Sequence, residues 1–188
     1  MPIDMSSWNP IMELAIVQAR ADTDAGEVPV GAVIVVKRSI FQLASGRLGG
    51  GAPAVHDELA GDKTEDFQIL ASGRNRTREL KDASAHAEIL ALREAEKAAG
   101  DFRLDHLGGV VCVSTIEPCL MCLGALAHAR IKRLVFGVRD EKFGGLFGRF
   151  GLAAHPYFSG WEITEGVMAE ECAALLKNFF AAKRQSSF

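Results

Sequence analysis

Apolar residues recur along this chain with two different periods. Ile11, Met12, Leu14, Ala15, Ile16 and Val17 follow Asn9-Pro10 and cover one wide helical face. Asn9 is the expected N-cap with Pro10 at the first helical position, and Gly26 is the expected stop. Val30 to Val36 is a nearly continuous, valine-rich apolar run, the pattern of a strand covered on both faces. Phe67 to Ser72 reads as its neighbour. A second helix is expected from a Ser84 cap to Gly100, and a third from Pro118 to about Ala129. Val110 to Ser114, Leu134 to Val138 and Trp161 to Gly166 read as further strands. The last helix places Cys172, Leu175, Leu176, Phe179 and Phe180 at i, i+3, i+4, i+7 and i+8, one apolar stripe. Strands alternating with helices predict an α/β fold, a three-layer α/β/α sandwich around one mixed sheet.

One stretch breaks this rhythm. Lys37 to Asp66 holds Gly46, Gly49, Gly50, Gly51, Pro53 and Gly61, then Asp57, Glu58, Asp62, Glu65 and Asp66. Loops beyond about 12–15 residues are uncommon inside compact domains. It is read as a flexible hairpin insertion at 37–66 within a single domain spanning 1–188. The chain is 48% hydrophobic and 24% charged, an ordinary globular composition. No apolar run reaches the roughly 18–20 residues that a membrane span needs. Met1 to Asn9 carries no signal-like segment, so a cytoplasmic protein is expected.

The net charge of −3 argues against a polyanionic partner, but its distribution does not. Ser72 to Lys81 sets Arg74, Arg76, Arg78 and Lys81 against Glu79, a local +3. Arg130 to Phe150 sets Arg130, Lys132, Arg133, Arg139, Lys142 and Arg149 against Asp140 and Glu141, a local +4. Together these 31 residues carry +7, so the other 157 carry −10. Such a patch attracts nucleic acid, and solvated surface is the plain alternative.

Each basic stretch lies close to half of a chemical constellation. His86-Ala87-Glu88 is followed by Pro118-Cys119-Leu120-Met121-Cys122. One imidazole and two thiols are zinc ligands, and three of them leave a fourth position open for an activated water. Cys119 and Cys122, three apart at a helix start, can reach one point, and the helix N-terminus favours the thiolate. His86 falls in the first helical turn, where the positive dipole end favours neutral imidazole. His86 and Glu88 would stand about 200° apart on an ideal helix, so both must lean toward the helix mouth to share a site. A redox C-x-x-C pair is one competing reading, and a structural zinc completed by Cys112 or His128 is another. Neither supplies a well-placed fourth ligand. Cys112 and Cys172 read as buried cysteines, and His106, His128 and His155 as surface or core residues.

H-x-E followed by P-C-x-x-C is the signature of zinc deaminases of nucleobases. The chain resembles the bacterial tRNA-specific adenosine deaminases, of cytidine-deaminase-like fold. The resemblance runs through Glu27-Val-Pro-Val-Gly-Ala-Val33, Asn75, Ala85-His-Ala-Glu-Ile89 and Glu117-Pro-Cys-Leu-Met-Cys122. It continues through Arg130-Ile131, Val135 to Asp140, Glu162 to Gly166 and Glu171 to Leu176, sparing the 37–66 insertion. It implies one zinc per subunit on His86, Cys119 and Cys122, with Glu88 shuttling protons. It also implies Asn75 on the purine and Val30 in the pocket wall. The implied reaction converts the wobble adenosine of an arginine tRNA to inosine, in a homodimer that holds the anticodon stem-loop. Arg74, Arg139, Asp140, Lys142 and Arg149 are the candidate RNA contacts. Thr77 departs from the family's proline, and Phe143-Gly-Gly-Leu-Phe147 is bulkier than the family's loop. Two rivals stay open: a deaminase of a free base or nucleoside such as guanine or cytosine, and a silent RNA-binding subunit. Glu88 argues against the second.

Overall fold

The computed structural model describes residues 5–21, 26–39 and 66–185. Most of the 37–66 insertion therefore lies outside the described residues. Five strands form one mixed sheet: β1 (Gly31–Lys37), β2 (Phe67–Arg74), β3 (Val111–Ile116), β4 (Arg133–Val138) and β5 (Glu162–Glu165), in the order β2-β1-β3-β4-β5. β1 pairs antiparallel with both β2 and β3, while β3–β4 and β4–β5 are parallel.

Residues alternate between faces along β1, and each face finds its own cover. Val33 and Val35 meet Ile11, Met12, Ala15 and Ile16 of α1 (Asn9–Arg20) on one side. Cys172 of the last helix packs into that same layer. Ala32, Ile34 and Val36 meet Ala87, Ala91 and Leu92 of α2 (Ala87–Ala99), and Leu123 and Leu126 of α3 (Leu120–His128), on the other. The last helix is α4 (Ala169–Gln185). This is the expected three-layer sandwich, and it explains why β1 reads as unbroken hydrophobic sequence.

Helix ends were harder to place. α1 is preceded by a 3-10 turn, Met5–Trp8, so Trp8 rather than Asn9 occupies the cap position, and no side chain caps it. Trp8 is buried, its ring 4.9 Å from that of Phe67, and this packing sets the entry. The helix ends at Arg20 and does not run to Gly26. Ser84 does not cap α2: its N–H and hydroxyl both donate to Asp82 at 2.7 Å, and His86 holds the cap position. Gly100 does close that helix in the left-handed conformation, at φ 69°. The stripe on α4 is only partly covered, with Cys172 buried, Leu175, Leu176 and Phe179 half-buried and Phe180 exposed.

Close backbone approach fixes the layer that carries the chemistry. A Cβ on Gly73 of β2 would fall 2.6 Å from the Ala87 carbonyl oxygen and 2.7 Å from the Ala91 nitrogen. Glycine is required there because the start of α2 lies directly on the strand.

Candidate active site

Two helix mouths open at the same end of the sheet. His86 is the cap residue of α2 and Cys119 the cap residue of α3. His86 Nδ1 lies 3.7 Å from both Cys119 Sγ and Cys122 Sγ, and the two sulfurs are 3.6 Å apart. Among the described residues this is a group able to hold a metal ion, and neither Cys112 nor His128 belongs to it. Cys112 is fully buried in β3, where burial pushes its thiol well up.

The sulfurs are unequal. The hydrogen bond with Cys122, with His86 beside it, brings the Cys119 thiol down to about 4. Cys122, bonded to that sulfur and buried, is pushed above the ordinary thiol range. The Cys119 sulfur also raises the His86 pKa, against the burial that lowers it.

Glu88 completes the constellation. Its carboxylate is buried, with Oε2 3.5 Å from Cys122 Sγ, and Oε1 accepts the Ser114 hydroxyl at 3.1 Å. Desolvation pushes its pKa up, toward a carboxyl that both takes and returns a proton. The 200° separation from His86 does not apply, because His86 at φ −78°, ψ 154° is extended and precedes the first helical residue. Ser114 was not singled out from the sequence. It sits on β3 facing α2, and only pairing the strand reveals what its hydroxyl meets.

The flanking segments are tied to these mouths. Asn75 Oδ1 accepts the Ala87 N–H at 2.9 Å, satisfying an orphan donor of α2, and its Nδ2 donates to the Val28 carbonyl at 3.1 Å. Val30 is buried beside it, and its carbonyl takes the Asn75 N–H at 3.1 Å. The Glu27 carboxylate accepts the Arg78 and Glu79 N–H groups at 2.6 and 3.0 Å and the Thr77 hydroxyl at 2.9 Å. Thr77 therefore has a structural use: its hydroxyl joins the turn Thr77–Leu80 to Glu27.

Glu117, next to the Pro118-Cys119 pair, is buried and ringed by backbone donors. Oε1 accepts the N–H groups of Leu146, Phe147 and Gly148 at 2.8, 2.7 and 3.1 Å, and Oε2 accepts that of Asp140 at 3.1 Å. A Cβ on Gly144 would strike this carboxylate at 2.4 Å. Gly144 in turn bridges Cys119, so the 140–148 segment is fastened to the turn that carries the cysteines.

The expected RNA contacts separate into two groups. Arg74 pairs with Glu79 at 3.2 Å, and Arg139 makes a two-point pair with Glu165 at 2.6 Å for each bond while lying over the Phe147 ring. Asp140 Oδ1 accepts the Lys142 and Phe143 N–H groups at 2.9 and 3.0 Å and shapes the turn. Lys142 and Arg149 have no carboxylate partner among the described residues.

The mixed sheet with two facing helix mouths, one bearing a histidine and a buried glutamate and the other two cysteines, is the cytidine-deaminase-like arrangement. Comparison with known proteins agrees. The model of the MafB19-like deaminases matches residues 6–184. The tRNA-specific adenosine deaminase of Agrobacterium fabrum is 34% identical over 181 residues, covering 96% of this chain and 98% of that protein. That of Haemophilus influenzae is 35% identical over 181 residues, covering 93% and 84%. A solved structure from a study of A-to-I editing by tRNA:A34 deaminases at the wobble position matches with a TM-score of 0.65 at 33% identity, covering 88% of this chain and 97% of that one. The chain belongs to the MafB19-like deaminases, in the branch of the tRNA-specific adenosine deaminases.

Proposed function

We propose that this chain deaminates the wobble adenosine of a tRNA anticodon, of an arginine tRNA, to inosine with release of ammonia. The observation that carries the chemistry is the buried Glu88 carboxylate touching the His86–Cys119–Cys122 group. The substrate rests on near full-length similarity to deaminases named for tRNA, joined to the basic segments.

The donors fit zinc. Tetrahedral zinc with bonds of ~2.3 Å to sulfur and ~2.0–2.1 Å to nitrogen spaces its ligands ~3.5–3.8 Å apart. The three observed edges of 3.6 and 3.7 Å meet that requirement. His86, Cys119 and Cys122 would hold one zinc per subunit, which when bound supplies Lewis-acid activation of a water. Glu88 would take a proton from the attacking water and deliver it to adenine N1. It would then take the proton of the hydroxyl now on C6 and pass it to the departing amine, so that one water is consumed and one ammonia released. Ser114 holds the Glu88 carboxylate in place. Asn75, which keeps a spare N–H and a spare lone pair, faces the purine edge, with Val30 behind it in the pocket wall. An anticodon-loop base is unpaired and is splayed into such a site at low cost.

The working unit in this reading is a cytoplasmic homodimer. Half-covered Leu175, Leu176 and Phe179, with exposed Leu120 and Met121, support a partner subunit. No helix among the described residues is long and apolar enough to cross a membrane. Residues 1–188 act as one deaminase domain with 37–66 inserted between β1 and β2. Support comes from the pairing of Lys37 with Phe67 and from the Arg38 N–H on the Asp66 carbonyl at 2.9 Å.

The test offers the protein an anticodon stem-loop with adenosine at the wobble position, beside free adenosine, guanine and cytidine. Inosine in the RNA is expected, lost on chelation and regained with zinc. Faster turnover of guanine or cytidine, with no inosine in the RNA, overturns the reading.

A further inference from the structure

Two aromatic rings stand in solvent beside the site: Phe143 is 57% exposed and Phe150 is 47% exposed. Both belong to the stretch that Glu117 fastens. Gly144 follows Phe143 and bridges Cys119, and the Phe150 N–H donates to the Gly144 carbonyl at 3.2 Å. The two rings thus flank one backbone position that is itself paired with a metal-ligand residue. Phe147, between them in sequence, turns inward instead, half-buried 6.2 Å from the Phe136 ring with Arg139 on its face at 4.6 Å. The anchor is aromatic and buried, and the outward pair is aromatic and open. Lys142 Nζ lies 5.3 Å from the Phe143 ring centre. Arg149 adjoins Phe150 in sequence, so each ring has a neighbouring cation.

We propose that Phe143 and Phe150 are stacking platforms for unpaired nucleotides flanking the target adenosine, with Lys142 and Arg149 on the adjoining phosphates. This rests on the RNA substrate proposed above and names how that RNA is held. An exposed ring has no use for water, while every base presents a π-face that stacks on it whatever the sequence. Cations interleaved with aromatics supply the backbone contact that stacking lacks. Four N–H groups on one buried carboxylate hold the loop, so the rings are already placed before RNA arrives and little ordering remains for binding.

The experiment measures kcat and KM on the anticodon stem-loop for the parent, Phe143→Ala, Phe143→Trp, Phe143→Leu and Phe150→Ala. Each alanine variant should raise KM about 5–160-fold, the range for loss of one stacked base. The loss should fall on KM more than on kcat, with zinc per chain retained. Phe143→Trp should recover most of it and Phe143→Leu should not, because leucine keeps apolar bulk without a stacking face. A stem-loop with an abasic residue beside the target should cost the parent the same factor and Phe143→Ala almost nothing more. An unchanged KM in both alanine variants, or equal recovery by leucine and tryptophan, overturns the proposal. So does a fall in molecular mass in Phe143→Ala whose KM returns to the parent value at higher protein concentration, which would assign the ring to contact between copies. If the parent itself makes no inosine in the stem-loop, the proposed substrate fails and this inference fails with it. If the parent is active and the variants match it, only this inference fails.

Discussion

Glu88 and Glu117 are both buried, both lie within a few residues of the His86–Cys119–Cys122 group, and their surroundings are opposite in kind. Glu88 meets two side-chain donors, the Ser114 hydroxyl and the Cys122 S–H, and desolvation raises its pKa. Among the described residues Glu117 meets four backbone N–H groups and no side-chain donor. A carboxylate short of donors in a dry site can exchange a proton at small cost, whereas one encircled by amides serves as a knot that gathers a loop. On the reading proposed above, residue type alone does not separate catalysis from architecture. The donor count does.

The sharpest break between the two is substitution by glutamine. Glu88→Gln should lower kcat by about 10²–10⁴-fold, the usual worth of positioned proton transfer, while zinc content and melting temperature stay near the parent. Near-parental turnover in an inosine assay would put Glu88 on the architectural side with Glu117.

Glu117→Ala should do the reverse. Leaving four N–H groups without their acceptor should cost at least about 2 kcal/mol, a fall in melting temperature of roughly 4–8 °C for a chain of this size. KM for the stem-loop should rise more than kcat falls, since the loop it fastens carries Lys142 and Arg149. Thermal unfolding and steady-state kinetics on one preparation would show both. A full loss of kcat with unchanged stability would erase the distinction.

Ser114→Ala sharpens the catalytic side. It removes one neutral donor worth about 0.5–1.5 kcal/mol, so kcat should fall about 2–12-fold with KM unchanged. Ser114→Thr should restore the hydroxyl and part of the rate.

The smallest effect is expected from deleting Phe41 to Glu65 and joining the ends with a short turn. Lys37 already pairs with Phe67, and the removed sequence is glycine-rich with few apolar residues. Zinc content and stem-loop turnover should stay within a few-fold of the parent. Loss of either would make the insertion part of the working enzyme.

The candidate site was legible because its chemistry restricts residue type at fixed spacing: His86, Glu88, Cys119 and Cys122 can be picked out without coordinates, and the structure brings them together. β1 was legible because burial on both faces leaves no polar positions. Glu117 and Glu27 were not legible as clamps, since their partners are backbone N–H groups with no sequence signature. Arg74 and Arg139 look like free cations in a local charge count. Arg139 nevertheless answers to Glu165, a strand away. Geometry on an ideal helix misled for His86, because a cap residue obeys extended dihedrals rather than 100° steps.

Gly73 has a consequence for how this enzyme can change. The histidine caps α2 and the glutamate sits in its first turn, and that turn rests on β2 with no room for a single methyl group. Position 73 is therefore a gauge block, fixing the depth of Glu88 relative to the cysteines without touching either. A mutational library selected for deaminase activity should come back rich in changes at Lys142, Phe143 and Arg149 and empty at 73. The outer loop can drift toward new RNA partners, while the spacing that makes the reaction possible tolerates no drift.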